Sequence, residues 1–319
     1  MTIRGLIAAY LGVPESEALA IARKAPRAYR RYQVPKRSGV GMRAIFHPSK
    51  ETKALQYALL ETVLPTLPVH DAAAGYVRGL RSPLLRNAQA HSEFRFTVRL
   101  DFKDFFPSIT PNDLLGRLEA IDEWAPIDKK DRAFLTDALF IDFRQSRFLA
   151  IGAPTSPAIS NAAMYELDVR LQACASEHNG RYTRYADDIL YSTNEKGGCQ
   201  VFAERVVTEI AAMDSPDLAM NESKTLYMSR GTRRSVTGLI VTPEGDVSVG
   251  RSRKRYVRGL VHRYGKYLTG HGEFAEELSD SLRGLLAFIL DVEPEFFNRL
   301  AQRYGAKVVN SALHGKRLE

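Results

Sequence analysis

In the stretch RYTRYADDILYS, residues 181 to 192, two carboxylates stand side by side inside a run whose other residues favour a strand. Tyr185 and Ile189 fit strand positions, so the simplest geometry is a hairpin turning at Ala186, Asp187 and Asp188, which lifts both acids out of the sheet. A second stretch, EFRFTVRLD, alternates strictly. Phe94, Phe96, Val98 and Leu100 share one face, and Arg95, Thr97, Arg99 and Asp101 the other, so Asp101 is expected to end a strand on its polar side. If that strand lies beside the hairpin, three carboxylates converge at one end of a sheet. Bare, they would repel and take up protons. A divalent ion resolves the conflict, and hard oxygen donors with few nitrogen or sulfur candidates nearby point to Mg²⁺. Two such ions about 4 Å apart serve an in-line phosphoryl displacement, so the expected reaction is nucleotidyl transfer. A solvated turn is the plain alternative for an isolated Asp-Asp pair, and Asp101 on a second strand weighs against it.

The rest of the chain supports an α+β body. Residues 1 to 32 read as short helices, with PESEALAIARKA at helical spacing behind Pro14. Pro35, Gly39 and Gly41 then break any helix, and a hairpin with a basic turn is expected. From about Lys50, Leu55, Leu59 and Val63 form one stripe of a helix that stops near Pro65. Thr110 with Pro111, and Ser156 with Pro157, are helix start signals. A helix is expected from about Gln200 to Met213, a short strand near Lys224 to Met228, and mostly helix beyond about residue 250. That order suits helices packed on one face of an antiparallel sheet.

The net charge of +8 matters for where it sits. Ten Lys and Arg residues lie between Arg23 and Lys53 against Glu51 alone, and ten more between Arg230 and Lys266 against Glu244 and Asp246. Interleaved with Tyr29, Tyr32, Tyr256, Tyr264 and Tyr267, such clusters suit a polyanion. Cys174 and Cys199 have no metal-ligand or redox spacing and read as plain buried thiols. No run of about 18 apolar residues is present, and no cleavage site follows the start, so the expectation is a cytoplasmic protein with no membrane association.

With YADD preceded by DFKDFFPSI (Asp101 to Ile109) and GAPTSPAISN (Gly152 to Asn161), the chain from about Arg43 to Val241 resembles the reverse transcriptases. The resemblance implies a right-hand polymerase. Its N-terminal helices and fingers would take residues 1–95, part of the fingers returning after the first palm strand. The palm would take 96–240 and a helical, RNA-binding thumb 241–319. By the same resemblance Asp101, Asp187, Asp188 and the backbone of Phe102 hold two Mg²⁺ ions, and Lys224 protonates the pyrophosphate leaving group. Arg43 meets the triphosphate, and Asp104, Phe105, Gly152 and Ala153 border the nucleotide, the Phe105 side chain itself reading as a core residue. Phe106 blocks the sugar 2′-hydroxyl, selecting dNTPs. Where relatives carry Pro-Gln before this glycine the chain has Ala150-Ile151, so one polar contact to the nucleotide is missing.

NAQAH, Asn87 to His91, resembles the NAxxH element of retron reverse transcriptases, and Val236-Thr237-Gly238 resembles their VTG element. This implies a structured noncoding RNA that is both bound and copied, primed from a guanosine 2′-hydroxyl, to give branched RNA-DNA (msDNA). RNA contacts are expected from Asn87, His91, Val236, Thr237 and Gly238, and from Arg251, Arg253, Lys254, Arg255, Arg258, Arg263 and Lys266 of the thumb, with a local hydrogen bond an equal reading for His91. The chain has no room for an added ribonuclease H, so template removal would fall to a host ribonuclease H. A separately encoded effector in antiphage defence is also implied. A group II intron or diversity-generating enzyme, or a silent RNA-binding scaffold, are the alternatives.

Overall fold

Local chemistry sets the ends of the first two helices, α1 (Ile3–Leu11) and α2 (Glu15–Lys24). The Thr2 hydroxyl accepts from the Gly5 N–H at 3.2 Å and caps α1. Glu15 and Glu17 open α2, and Arg23 and Lys24 close it, each sign opposing the helix dipole at that end. The computed structural model describes residues 2–35 and 41–315. Strand β1 (Tyr29–Pro35) pairs antiparallel with β2 (Met42–Pro48), Tyr29 opposite Pro48. The helical reading to residue 32 therefore overshoots: from Tyr29 the chain gains a ladder partner that outweighs helix propensity. The turn expected around Gly39 lies outside the described residues.

Helix α3 (Lys50–Thr62) is capped by Ser49 and buries Leu55, Leu59 and the following Val63 completely. There follow α4 (Pro83–Gln89), β3 (Phe96–Lys103), α5 (Pro111–Glu119), α6 (Lys129–Leu139), β4 (Ile141–Phe143) and β5 (Ser146–Phe148). Next come α7 (Ser156–Ala163), α8 (Tyr165–Glu177), β6 (Arg181–Tyr185), β7 (Asp188–Thr193), α9 (Gly198–Ala211) and β8 (Ala219–Met220). The chain closes with β9 (Leu226–Ser229), β10 (Arg234–Val236), β11 (Leu239–Val241), β12 (Val247–Ser248) and the helices α10 (Arg251–Leu268), α11 (Glu276–Val292), α12 (Pro294–Tyr304) and α13 (Ala306–His314).

Two compact units result. The first takes residues 1–78, 98–191 and 195–226, and the second takes 79–97, 192–194 and 227–319. In the first, the strand order β6-β7-β3-β8 places β3 between the hairpin strand β7 and β8. Asp101 does not end its strand. Phe102 and Lys103 continue it, because they find partners in Met220 and Ala219 of β8. Thr110 and Asp113 form a capping box that starts α5, as its sequence signal predicts. Helices α8 and α9 pack together, and Phe202 of α9 stacks on Tyr191 of β7 with ring centroids 4.0 Å apart.

In the second unit β10, β11 and β12 form a small antiparallel sheet. Thr237 and Gly238, both at positive φ, make its first two-residue turn, the backbone a tight hairpin requires. Helix α4 packs against β10 and β11, with the Thr237 hydroxyl donating to the Leu84 carbonyl at 3.3 Å. The NAxxH and VTG elements, about 150 residues apart in sequence, are thus parts of one packing unit. Helices α10 to α13 pack on one another as a bundle. Among the described residues no single helix is long and apolar enough to cross a membrane.

Candidate active site

The β6–β7 hairpin turns through Ala186 and Asp187, with Ala186 in the left-handed region at φ 58° and Asp188 as the first residue of β7. Beside it, the Phe102 N–H donates to the Asp187 carbonyl at 3.3 Å, so the turn and the residue after Asp101 touch. Asp101 is buried. Its carboxylate accepts from the Lys224 ammonium at 2.6 Å and from Asn221 Nδ2 at 3.3 Å, and its carbonyl accepts from the Asn221 N–H at 2.7 Å. The guanidinium of Arg99, two residues earlier on β3, lies 4.0 Å from Asp188.

The electrostatics are those of a crowded acidic site. Burial raises the Asp187 carboxyl above its ordinary range, and the Asp101 charge adds to that, while Lys224 and Arg43 oppose it. The Asp188 carboxyl is pushed up to about 6, first by burial and then by Asp187, against the pull of Arg99. Such carboxyls are short of positive charge. Among the described residues no group of three His, Cys, Asp or Glu side chains is already arranged to hold a metal ion. The donor chemistry nevertheless suits a hard cation, for every donor is an oxygen, and Lys224 shows that Asp101 accepts a positive charge at close range.

The turn stands on a buried post that sequence reasoning missed. Arg184 and Asp168 have fully buried side chains. Arg184 donates through Nε and Nη2 to the two oxygens of Asp168 at 2.8 and 2.7 Å. Its Nη1 donates to Asn161 Oδ1 and to the Ala186 carbonyl, each at 3.1 Å. The Tyr182 hydroxyl also donates to Asp168, at 2.6 Å. The signal available in sequence was an arginine flanked by Thr183 and Tyr185 inside the strand RYTRY.

The residues expected around a nucleotide divide in two. Asp104 is exposed at φ 48°, Phe106 is half-buried, and Arg43 is exposed on β2 with its charge felt at Asp187. Gly152, at φ 110°, lies so close to β2 that a Cβ would stand 2.8 Å from both Ile45 and the Phe46 carbonyl. The preceding Ile151 carbonyl accepts from the Phe46 N–H at 2.7 Å, so the turn before α7 is fastened to the strand that carries Arg43. The Phe105 and Ala153 side chains lie in the interior: Phe105 is buried and stacks on Phe102, as the core reading of it expects, and Ala153 joins a core cluster with Phe46, Ile141 and Ala150.

The expected RNA contacts divide likewise. Asn87, His91 and Val236 are buried. His91 Nδ1 pairs with Ser192 Oγ at 2.8 Å, which in turn pairs with Thr97, so this histidine serves an interior hydrogen-bond chain. On α10, Lys254 pairs with Glu293, Arg253 lies over the Phe288 ring, and Arg258 lies over Phe296. Arg251, Arg255, Arg258, Arg263 and Lys266 are exposed, Arg263 lying over the Phe274 ring. Arg234 also leaves the basic surface, donating in the interior to the Phe94 and Thr242 carbonyls.

The reverse transcriptase (RNA-dependent DNA polymerase) family model matches residues 34–255. The chain is 32% identical over 302 residues to the retron Ec83 reverse transcriptase of Escherichia coli, covering 93% of each. To the retron Ec73 reverse transcriptase of the same species it is 33% identical over 297 residues, covering 88% of each. This chain belongs to the retron reverse transcriptases. As a member of that family it is an RNA-directed DNA polymerase, and the family works on RNA templates and is generally dependent on a divalent metal. A telomerase from Candida albicans, solved with a fragment of telomeric RNA, matches 93% of this reverse transcriptase with a TM-score of 0.50 at 12% identity. The chain spans 60% of that telomerase chain's length, and the likeness shows the fold, a right-hand polymerase.

Proposed function

We propose that this reverse transcriptase copies part of a cognate, structured noncoding RNA into DNA, starting from the 2′-hydroxyl of a guanosine in that RNA, so that the product is branched msDNA. The observation that carries the reading is the bond from the Phe102 N–H to the Asp187 carbonyl, which sets the YADD turn against the strand bearing Asp101. The first unit would hold fingers and palm, and the helices of the second would serve as thumb.

Asp101, Asp187, Asp188 and the Phe102 backbone would hold two Mg²⁺ ions. When bound, such ions activate an attacking hydroxyl and stabilise the leaving oxygen of an in-line displacement. Lys224, already 2.6 Å from Asp101, stands where an ammonium can give a proton to departing pyrophosphate. Arg43 supplies charge for the triphosphate of the incoming dNTP. The exposed Asp104 and the backbone at Phe105, Gly152 and Ala153 shape the pocket. The exposed α10 cations Arg251, Arg255, Arg258, Arg263 and Lys266 suit RNA phosphates, read through backbone and shape. Through the buried Asn87, His91 and Val236, the NAxxH and VTG elements would contribute by holding the surface that RNA meets. Work in the cytoplasm, template removal by a host ribonuclease H, and a separately encoded effector acting against phage complete the proposal.

The test is the linkage. Enzyme purified with its RNA and supplied with Mg²⁺ and dNTPs is expected to yield DNA joined to RNA through a 2′,5′ bond, read by sequencing across the branch. Ordinary 3′-primed product alone would favour a group II intron or diversity-generating mode, and absence of synthesis with RNA tightly bound would favour a scaffold.

Phe106 would be the group that meets the sugar. Phe106→Ala is expected to relax dNTP-over-rNTP selection by roughly 10-fold or more, since a missing steric wall is worth one to a few kcal/mol of discrimination. Competitive incorporation of ribonucleotides measures it, and unchanged rejection would remove Phe106 from the role.

A further inference from the structure

Tyr76 adopts a backbone that large side chains avoid, φ +62°. The residues just before it hold it there. The Ala74 N–H donates to the Arg184 carbonyl at 2.7 Å and the Arg184 N–H to the Ala72 carbonyl at 2.8 Å, so the segment runs alongside β6. Gly75 then passes the YADD turn so closely that a Cβ would lie 3.0 Å from the Ala186 nitrogen and 3.2 Å from the Tyr185 ring. Its carbonyl accepts from the buried Asn161 Nδ2 at 3.0 Å, and the same Asn161 accepts from Arg184. One buried amide therefore ties the chain before Tyr76 to the post under the turn.

That anchoring delivers the Tyr76 ring to the proposed nucleotide wall. Its centroid lies 6.4 Å from Phe106 and 6.3 Å from Tyr185, within the range of aromatic contact. Phe106 thus has two aromatic neighbours, Tyr76 and Phe105, the latter at 5.4 Å edge to face. Filling the core is a poor explanation for Tyr76. Tyr76 is 48% exposed, and a cleft of about 690 Å³, lined by Tyr76 together with Leu64, Val77, Pro154 and Pro157, leaves space beside it. Strain kept at an exposed aromatic next to a reactive turn needs a reason of another kind.

We propose that Tyr76 is a positioning residue for nucleotide selection: its ring backs Phe106 and sets how firmly the site rejects a ribonucleotide. This rests on the reading of Phe106 as the group that meets the sugar. It extends that reading to a residue no polymerase motif in the sequence singled out.

Glycine takes φ +62° without strain, so Tyr76→Gly removes the ring and leaves the backbone path open. Single-nucleotide incorporation of dATP and ATP by the full chain on an RNA template is the measurement. Tyr76→Gly is expected to raise the KM for dATP and to lower the preference for dATP over ATP by roughly 10-fold each, with kcat held within about 3-fold. Tyr76→Phe keeps the ring and is expected to behave as the parent. In the double variant Tyr76→Gly/Phe106→Ala, selection is expected to be no worse than in Phe106→Ala alone, because the two act through one wall. Parent-like selection in Tyr76→Gly, beside relaxed selection in Phe106→Ala, overturns the inference and leaves the Phe106 reading standing. Parent-like selection in both overturns the two together. Joint loss of kcat and melting temperature in Tyr76→Gly, with selection intact, marks a purely structural residue and also overturns it.

Discussion

Asp187→Asn is expected to lower Mg²⁺-dependent dNTP incorporation by about 10³-fold or more, the scale on which losing a preorganised charge at a reacting phosphate is felt. RNA binding should stay nearly intact, because the change leaves the exposed cations of α10 untouched. The same substitution is expected to stabilise the protein in EDTA. The sign follows from the carboxyls. Asp187 and Asp188 both have folded-state pKa values raised above the ordinary range, so the stability they contribute is full below about pH 4; for Asp188 it is lost as pH rises through about 6, and Asp187 acts in the same direction. Ionisation is disfavoured at both positions. Taking one charge away relieves the other, by on the order of 1 kcal/mol after allowance for solvent at a part-exposed site.

Thermal melts in EDTA and in Mg²⁺ then separate the two roles of the turn. The parent should melt higher when Mg²⁺ is added and the variant should not, since only a state that binds the ion gains from it. In EDTA the variant should match or exceed the parent. Retained synthesis, or an equal Mg²⁺ shift in both proteins, would falsify the assignment of Asp187 as a metal ligand.

What could be read from the chain beforehand was whatever has a local cause. The alternation of Phe94 to Asp101, the Thr110–Asp113 box, the stripe of α3 and the RYADD hairpin each depend on residues a few positions apart. Errors came where a distant partner decides. The two extra residues of β3 exist because Met220 and Ala219 arrive from over 100 residues away. NAQAH leaves His91 open between RNA and a hydrogen bond within the protein until Ser192, 101 residues on, comes to meet it in the interior. Three of the seven Lys and Arg residues of α10, Arg253, Lys254 and Arg258, looked free in sequence because Phe288 and Phe296 belong to other helices and Glu293 to the link between those two. Tyr76 was invisible for a different reason: nothing in Gly-Tyr-Val announces a left-handed tyrosine, and only its anchoring to Ala186 and Asn161 gives it meaning.

Arg184 and Asp168 allow stability and activity to be pulled apart. Asp168→Ala leaves a guanidinium with no counter-charge in a fully buried position, and the expected cost is about 3–5 kcal/mol, seen as a melting temperature lowered by roughly 10 °C. Replacing both charges, Asp168→Leu with Arg184→Met, removes the uncompensated ion and fills similar volume, so more than half of the lost stability should return. Activity should not return with it. Arg184 Nη1 is the donor that holds the Ala186 carbonyl, one residue before Asp187, and it also meets Asn161, which anchors Gly75. A methionine offers neither bond, so a carbonyl in a left-handed turn loses its donor and the carboxylates beside it lose their fixed position. Incorporation by the double variant is expected to stay at least about 10-fold below the parent, since small misplacements at a reacting centre cost factors of this size or larger. Full incorporation by a stable double variant would mean that the turn keeps its shape unaided, and the buried pair would then serve the fold alone.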